Sequence, residues 1–147
     1  MSLKTEIRPE AEYLSVNVTG KFLLKEAEQS FLHTLEAVIQ HKSMKVLLDG
    51  RTITGKPATI ERFFYGKFAA NSVKAYKNRG VSPVTAFAYV LRPPVIDPQR
   101  FGETAAVNRG MHVRVFDNLE AAFEWLDIAP PRKQAMGIHR KPQPRFT

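Results

Sequence analysis

The sequence predicts a single α/β domain with the element order ββαβαβαβα, a mixed and mostly parallel sheet flanked by helices. Three observations predict it. The apolar period switches repeatedly between two and about 3.6 residues, the mark of strands alternating with helices. The run Met44-Lys45-Val46-Leu47-Leu48 is short and nearly continuous in apolar residues, as an interior parallel strand is. At 147 residues the chain has the size of one ordinary domain.

The elements follow in order. Lys4 to Arg8 reads as a short strand and residues 9–12 as a turn. From Tyr13 to Thr19, Leu14, Val16 and Val18 alternate with Ser15, Asn17 and Thr19, so one face of this strand is buried and one is polar. Between Leu24 and His41, Leu24, Ala27, Phe31, Leu35 and Val38 recur at steps of three and four, the stripe of an amphipathic helix. After the strand at Met44–Asp49, Gly50 to Pro57 reads as a loop, with Thr59 as N-cap of a helix running to about Asn78 and closed by Gly80. Thr85 to Leu91 is a further apolar strand. Arg92 to Pro98 holds three prolines without backbone donors and is irregular. A short helix is predicted from Gln99 to Arg109, then a strand from Met111 to Phe116. Asp117 and Glu120 have capping-box spacing for a last helix, Asn118 to Asp127. The half-polar strands at Tyr13–Thr19 and Met111–Phe116 predict one partly solvated sheet face.

Composition removes several function classes. The chain is 44% apolar and 24% charged and contains no cysteine, which excludes disulfides, thiolate metal sites and cysteine nucleophiles. No apolar run approaches the ~20 residues of a membrane span. The first residues lack the basic-then-apolar layout of a secretory signal, so a cytoplasmic protein is expected. The net charge is +8, but Arg132, Lys133, Arg140, Lys141 and Arg145 lie in a stretch without acidic residues, and removing those five leaves +3. Residues 129–147 are therefore expected to be a basic, proline-containing tail and residues 1–128 the folded domain.

Gly50-x-x-x-x-Gly55-Lys56 has the opening of a phosphate-binding P-loop. The next position should carry a Ser or Thr hydroxyl for Mg²⁺. It is Pro57, which has neither hydroxyl nor N–H and turns Lys56 away from the helical conformation. The stretch is not a nucleotide site.

The same stretch carries a family resemblance. "VLLDGRTITG" (46–55), "AAVNRGMHVRVF" (105–116) and "DNLEAAFEWL" (117–126), in this element order, resemble the STAS fold of anti-sigma-factor antagonists, and most of all its uncharacterised SpoIIAA-like or STAS-like branch. The resemblance spans roughly residues 10–128. It implies a domain that acts by binding, with the loop-and-helix region after the central strand meeting a protein partner. Antagonists of this kind carry a phosphorylatable Ser at the start of the helix after the loop. Here that region reads Lys56-Pro57-Ala58-Thr59, so Thr54 and Thr59 are the nearest hydroxyls and partner switching by phosphorylation is in doubt.

The candidate loop site comprises Asp49, Arg51, Thr54, Lys56 and Thr59, as an anion or regulatory site. Asp49 and Arg51 lie at the carboxyl end of a parallel strand, where α/β sites form. One acid and one Arg with no nucleophile, metal or second acid make a poor catalytic set, and bracing of the loop is their plainer role. The four histidines show no metal-like spacing. The chain is read as non-enzymatic, with no cofactor and no metal.

The second helix supplies the candidate partner surface. Phe63, Phe64, Tyr65 and Phe68 cannot share one face at about 100° per residue. The expectation is that Phe64 and Phe68 point into the core with Ile60 and Ala75. Phe63 then projects outward among Arg62, Lys67, Lys74 and Lys77, an apolar anchor in a cationic rim. The function expected is a binding or regulatory module that engages a protein, a second copy included, or a small apolar, lipid-like or anionic ligand, through residues 50–59 and the following helix. The alternative is nucleic-acid or acidic-surface binding through the tail and that helix.

Overall fold

The computed structural model of the protein describes residues 2–97 and 99–129. Five strands, β1 (Lys4–Pro9), β2 (Leu14–Lys21), β3 (Lys45–Thr54), β4 (Ala86–Val90) and β5 (Val113–Phe116), alternate with four helices. The helices are α1 (Leu24–His41), α2 (Thr59–Ala75), α3 (Phe101–Val107) and α4 (Leu119–Leu126). The tail expected at 129–147 lies outside the described residues except for Ala129.

The strands lie in sequence order, β1-β2-β3-β4-β5. β1 runs antiparallel to β2 through a tight turn, and β2 to β5 are mutually parallel. This order decides where the helices go. A chain that adds each parallel strand on the same side, by right-handed crossovers, lays every crossover helix on the same sheet face. α1, α2 and α3 accordingly cover one face, where Leu14, Val16, Val18, Phe31, Leu35, Val46, Leu48, Ala69, Phe87 and Val113 form the main core. α4 follows the last strand and is free to cover the other face, where Phe123 and Leu126 pack on Leu47, Ala88 and Val90. It leaves Ser15 half-exposed and Asn17 exposed, the partly solvated face expected from β2.

Several boundaries differ from the sequence reading. The expected Gly50–Pro57 loop is strand as far as Thr54, because Thr52, Ile53 and Thr54 continue the parallel ladder onto Thr19, Gly20 and Lys21. Between Asn17↔Asp49 and Thr19↔Thr52 the β3 side carries one extra residue, a bulge at Gly50-Arg51. The N-cap of α2 is Ala58, not Thr59; its N–H is taken by the Glu61 carboxylate at 2.8 Å. The N-cap of α4 is Asn118, whose Oδ1 accepts from Ala121 N–H at 2.8 Å, while Asp117 accepts from the Asn118 side chain at 3.0 Å. α3 starts at Phe101 because the Asp97 carboxylate takes the N–H groups of Gln99 (3.0 Å) and Phe101 (2.9 Å) ahead of it.

Candidate functional site

The loop residues chosen from sequence run from Asp49, in the middle of β3, to Thr59, the first residue of α2. Arg51 Nε and Nη2 donate to Asp49 Oδ1 and Oδ2 at 3.0 and 2.8 Å, and Arg51 N–H donates to the same carboxylate at 3.1 Å. The bond to Asp49 raises the Arg51 pKa, against the opposing effect of burial. Acid and base are spent on each other across the bulge, which is the bracing role. Thr54 donates weakly to Gly20 O at 3.4 Å and is exposed, as are Lys56 and Thr59. These five residues do not converge on one enclosed site, and none of them lines the cavity described next.

That cavity, about 130 Å³, lies between the sheet and the α2–α3 pair. Its floor is Val18, Leu48, Tyr89, Val113 and Val115, contributed by the four parallel strands β2 to β5. Its roof is Tyr65, Gly66 and Ala69 of α2 with Gly102 and Ala106 of α3. Ile53 and Pro57 also line it, so the strand extension and the loop after it border the cavity with apolar side chains. The bulge explains this: one extra residue inverts the strand alternation, so Ile53 faces the same side as Leu48.

The roof is low because two glycines meet there. A Cβ on Gly66 would lie 2.2 Å from the Gly102 carbonyl oxygen, and one on Gly102 would lie 2.9 Å from Arg62 O. Only glycine allows the two helix backbones to approach so closely.

Polar atoms on the cavity wall are few. The Tyr65 and Tyr89 hydroxyls share a hydrogen bond of 2.6 Å. Burial raises the pKa of both phenols; the shared bond opposes this at Tyr65, whereas the charge of Tyr65 adds to it at Tyr89. Arg62 turns inward at one edge, its side chain 15% exposed and Nη1 4.0 Å from Asp97 Oδ1. Its Nη2 donates to Pro94 O, and its Nε is buried with no partner among the described residues. Burial raises the Asp97 pKa, but backbone donors of Phe101, Gln99 and Arg100 and the Arg62 charge outweigh it, so the net shift is downward. Arg100 and Glu103 are bonded to each other at 3.4 Å and to the backbone of Val115.

The partner surface expected on α2 needs correction. Phe64 is exposed (44%), as is Ile60 (56%), and Ala75 is exposed too; none of the three belongs to the core. Phe63 is half-buried beneath the Arg109 guanidinium, 5.3 Å from its ring centre. The buried face of α2 consists of Gly66, Ala69, Ala70, Ser72 and Val73. Size at the α2–α3 contact, rather than apolarity, selects the residues that turn inward. Of the expected cationic rim, Lys67, Lys74 and Lys77 are exposed and Arg62 is not.

Tyr89, Asp97, Arg100 and Gly102 were not candidates from sequence, and Tyr65 and Gly66 were not assigned to a site. Gly66 left a signal, since an isolated glycine inside a helical pattern points to close packing. Tyr89 left a weaker one, a hydroxyl inside an otherwise apolar strand. Among the described residues there is no cluster of His, Cys, Asp or Glu able to hold a metal, and no helix is long and apolar enough to cross a membrane.

An anti-sigma factor antagonist from Mycobacterium paratuberculosis is 15% identical and superposes with a TM-score of 0.52, covering 86% of this chain and 95% of its own. A protein of the DUF3478 family with a SpoIIAA-like fold, from Shewanella loihica PV-4, is 17% identical with a TM-score of 0.47, covering 85% of this chain and 94% of its own. No curated protein matches. The family model described as SpoIIAA-like matches residues 13–127, from the end of the β1–β2 turn to Asp127, the C-cap of α4. That match spans most of the chain, which therefore belongs to the SpoIIAA-like family.

Proposed function

We propose that the protein acts by binding rather than catalysis, and that its ligand site is the cavity beneath α2 and α3. The observation that carries this reading is the cavity itself: about 130 Å³, walled mainly by apolar side chains of four strands and two helices. A dry apolar cavity of about 150 Å³ takes a benzene ring, so a small apolar molecule fits. The Asp49–Arg51 pair, the nearest thing to a catalytic couple, is bonded to itself and does not line this space. Titration with benzene, followed by the methyl resonances of Leu48, Ala106 and Val113, tests the reading. Saturable shifts at those methyls, abolished by Ala69→Phe, are expected. Shifts spread over the surface, or none, would remove it.

A second reading, a protein partner on the outer face of α2, has its own observation. Ile60, Phe64, Lys67, Asn71 and Lys74 follow one another at helical spacing and all are exposed. An apolar pair at the start of a cationic stripe has the makeup of an anchor with a charged rim. The neighbour of the same fold from Mycobacterium paratuberculosis is described as an anti-sigma factor antagonist. Sedimentation velocity of the protein alone and with candidate partners, repeated on Phe64→Ala, tests it; unchanged association in the variant would count against this surface.

A further inference from the structure

This inference rests on the second reading above, that the outer face of α2 meets a protein, and names that protein. We propose that it is a second copy of this chain, whose α4 lies against α2, so that copies join head to tail. The ground for this is the placement of charge. From Thr59 to Asn78 the exposed charged residues are Lys67, Lys74 and Lys77, all cationic. From Asp117 to Ala129 they are Asp117, Glu120, Glu124 and Asp127, all anionic. None of these seven side chains takes part in an ion pair among the described residues. The cations nearest α4 engage other groups. Lys45 Nζ donates to the backbone carbonyl of Asp127 at 3.2 Å, and the Arg114 guanidinium lies 5.7 Å from the Phe116 ring centre.

The two stripes match in spacing. Asp117, Glu120, Glu124 and Asp127 follow at steps of three, four and three, which is one helical face. Lys67 and Lys74 are seven residues apart, as are Asp117 and Glu124, a distance of about 10 Å along a helix. Laid antiparallel, Lys67 meets Glu124 and Lys74 meets Asp117. Phe64, 44% exposed, then comes within a turn of Trp125, which is half-buried on α4. The exposed aromatic gains an apolar neighbour inside a ring of opposite charges.

The two faces cannot meet within one chain. α2 packs on the sheet face that carries Leu48 and Phe87, and α4 on the other, with Leu47 and Val90. The sheet separates them, so the complement of α2 is within reach only on a neighbouring copy. Contact of α2 with α2, or of α4 with α4, sets like charges together and is disfavoured. The pairing is therefore heterologous. A joined pair keeps a free α2 face at one end and a free α4 face at the other, and addition continues.

The experiment is sedimentation velocity of the full chain over a range of concentrations, in about 0.02 M and about 0.5 M salt, where the screening length falls from roughly 20 Å to roughly 4 Å. In low salt the sedimentation coefficient should rise with concentration past the value of a dimer. In high salt the association should weaken about tenfold or more. Two variants carry the test: Lys67→Glu with Lys74→Glu, and Glu120→Lys with Glu124→Lys. Each gives its own α2 and α4 faces the same sign and should stay monomeric alone. Mixed in equal amounts they should associate again, because the reversed α2 of one is complementary to the reversed α4 of the other. If the α4 reversal does not fold, Glu120→Gln with Glu124→Gln replaces it and should weaken association about tenfold. A chain that stays monomeric in low salt overturns the second copy as partner and leaves the α2 face open to a different protein. Association that stops at a dimer, or reversed variants that stay monomeric when mixed, overturns it as well. Association unchanged by the lysine reversal does so too, and counts against the α2 surface itself. Sensitivity to the α4 reversal alone would then assign the opposing cations to residues 130–147, which carry five.

Discussion

Arg51 holds the carboxylate of Asp49, two positions back on the same strand, through both prongs of its guanidinium at 3.0 and 2.8 Å. The pair spans the extra residue that puts β3 out of phase with β2 and turns Ile53 toward the cavity. Its worth is therefore in register more than in energy. Both side chains are partly exposed, and ion pairs of that kind contribute about 0–1 kcal/mol. Asp49→Ala removes the Arg51 N–H acceptor as well, so a loss of about 1 kcal/mol in a denaturant melt is expected, with broadened or shifted Ile53 methyl signals. An unchanged Ile53 spectrum in a destabilised variant would show that the bulge holds without the pair.

The close approach of α2 and α3 makes a second prediction, by contrast between two glycines. The Gly66 Cβ position meets backbone, the Gly102 carbonyl at 2.2 Å, which can yield only if the helices separate. The Gly50 Cβ position meets side-chain ends, Ile53 Cδ1 at 2.7 Å and Leu91 Cδ2 at 2.8 Å, which can rotate. Gly66→Ala gains up to about 1 kcal/mol of helix propensity and is expected still to lose about 1–3 kcal/mol net through overpacking. Gly50→Ala should fall within about 1 kcal/mol of the unaltered protein. Equal melting of the two variants would mean that α3 is free to shift.

Much of this fold was legible in the sequence, and the parts that were not share a cause. Element order and type follow from apolar period, and the alternation of Leu14, Val16 and Val18 correctly gave one buried and one open face of β2. The second half of β3 was missed because Gly50, Thr52 and Thr54 are glycine and polar residues in a strand whose ladder, not its side chains, holds it in place. The faces of α2 do not follow from the weight of its apolar side chains. Where two helix backbones nearly touch, the smallest residues go inward and Phe64 is left outside. The cavity was invisible for a different reason: its wall joins Val18, Leu48, Tyr65, Tyr89 and Val113, which no local pattern brings together.

The buried phenols predict a specific loss of stability in alkali. Burial raises the pKa of Tyr65 and Tyr89 above the ordinary 10.0, so in the folded state both keep their protons at pH values where the unfolded chain has begun to lose them. The folded state then binds more protons, and stability falls as pH rises above about 10, by up to ~1.4 kcal/mol per pH unit for each group. Below that pH the contribution is fully present and flat. A Tyr65→Phe, Tyr89→Phe double variant removes donor and acceptor together and should be near neutral in stability at pH 7. Its urea-melting profile should decline less steeply above pH 10 than that of the unaltered chain. Parallel profiles would mean that the hydroxyl pair reaches solvent.

Three phenylalanines, Phe31 of α1 and Phe63 and Phe64 of α2, make the sharpest stability prediction, because the structure reverses the order expected for the last two. Phe31, 1% exposed, packs edge-on to Tyr65 with ring centres 6.2 Å apart and lies 5.5 Å from Phe87, at the middle of the main core. Phe31→Ala should cost about 3–5 kcal/mol. Phe63 is half-buried, its ring under Arg109 at 5.3 Å and beside Phe64 at 5.9 Å. Truncating it removes that cation–π contact and part of an apolar surface, so a loss of about 1–2 kcal/mol is expected. Phe64 has no such cover, and Phe64→Ala should lie within about 1 kcal/mol of the unaltered protein, since alanine also has the better helix propensity. Denaturant melts of the three variants give the order Phe31, Phe63, Phe64 from most to least costly. A Phe64→Ala loss as large as that of Phe31→Ala would show that α2 turns Phe64 inward in solution, and the exposed stripe of Ile60, Phe64 and Lys67 would no longer be available to a partner.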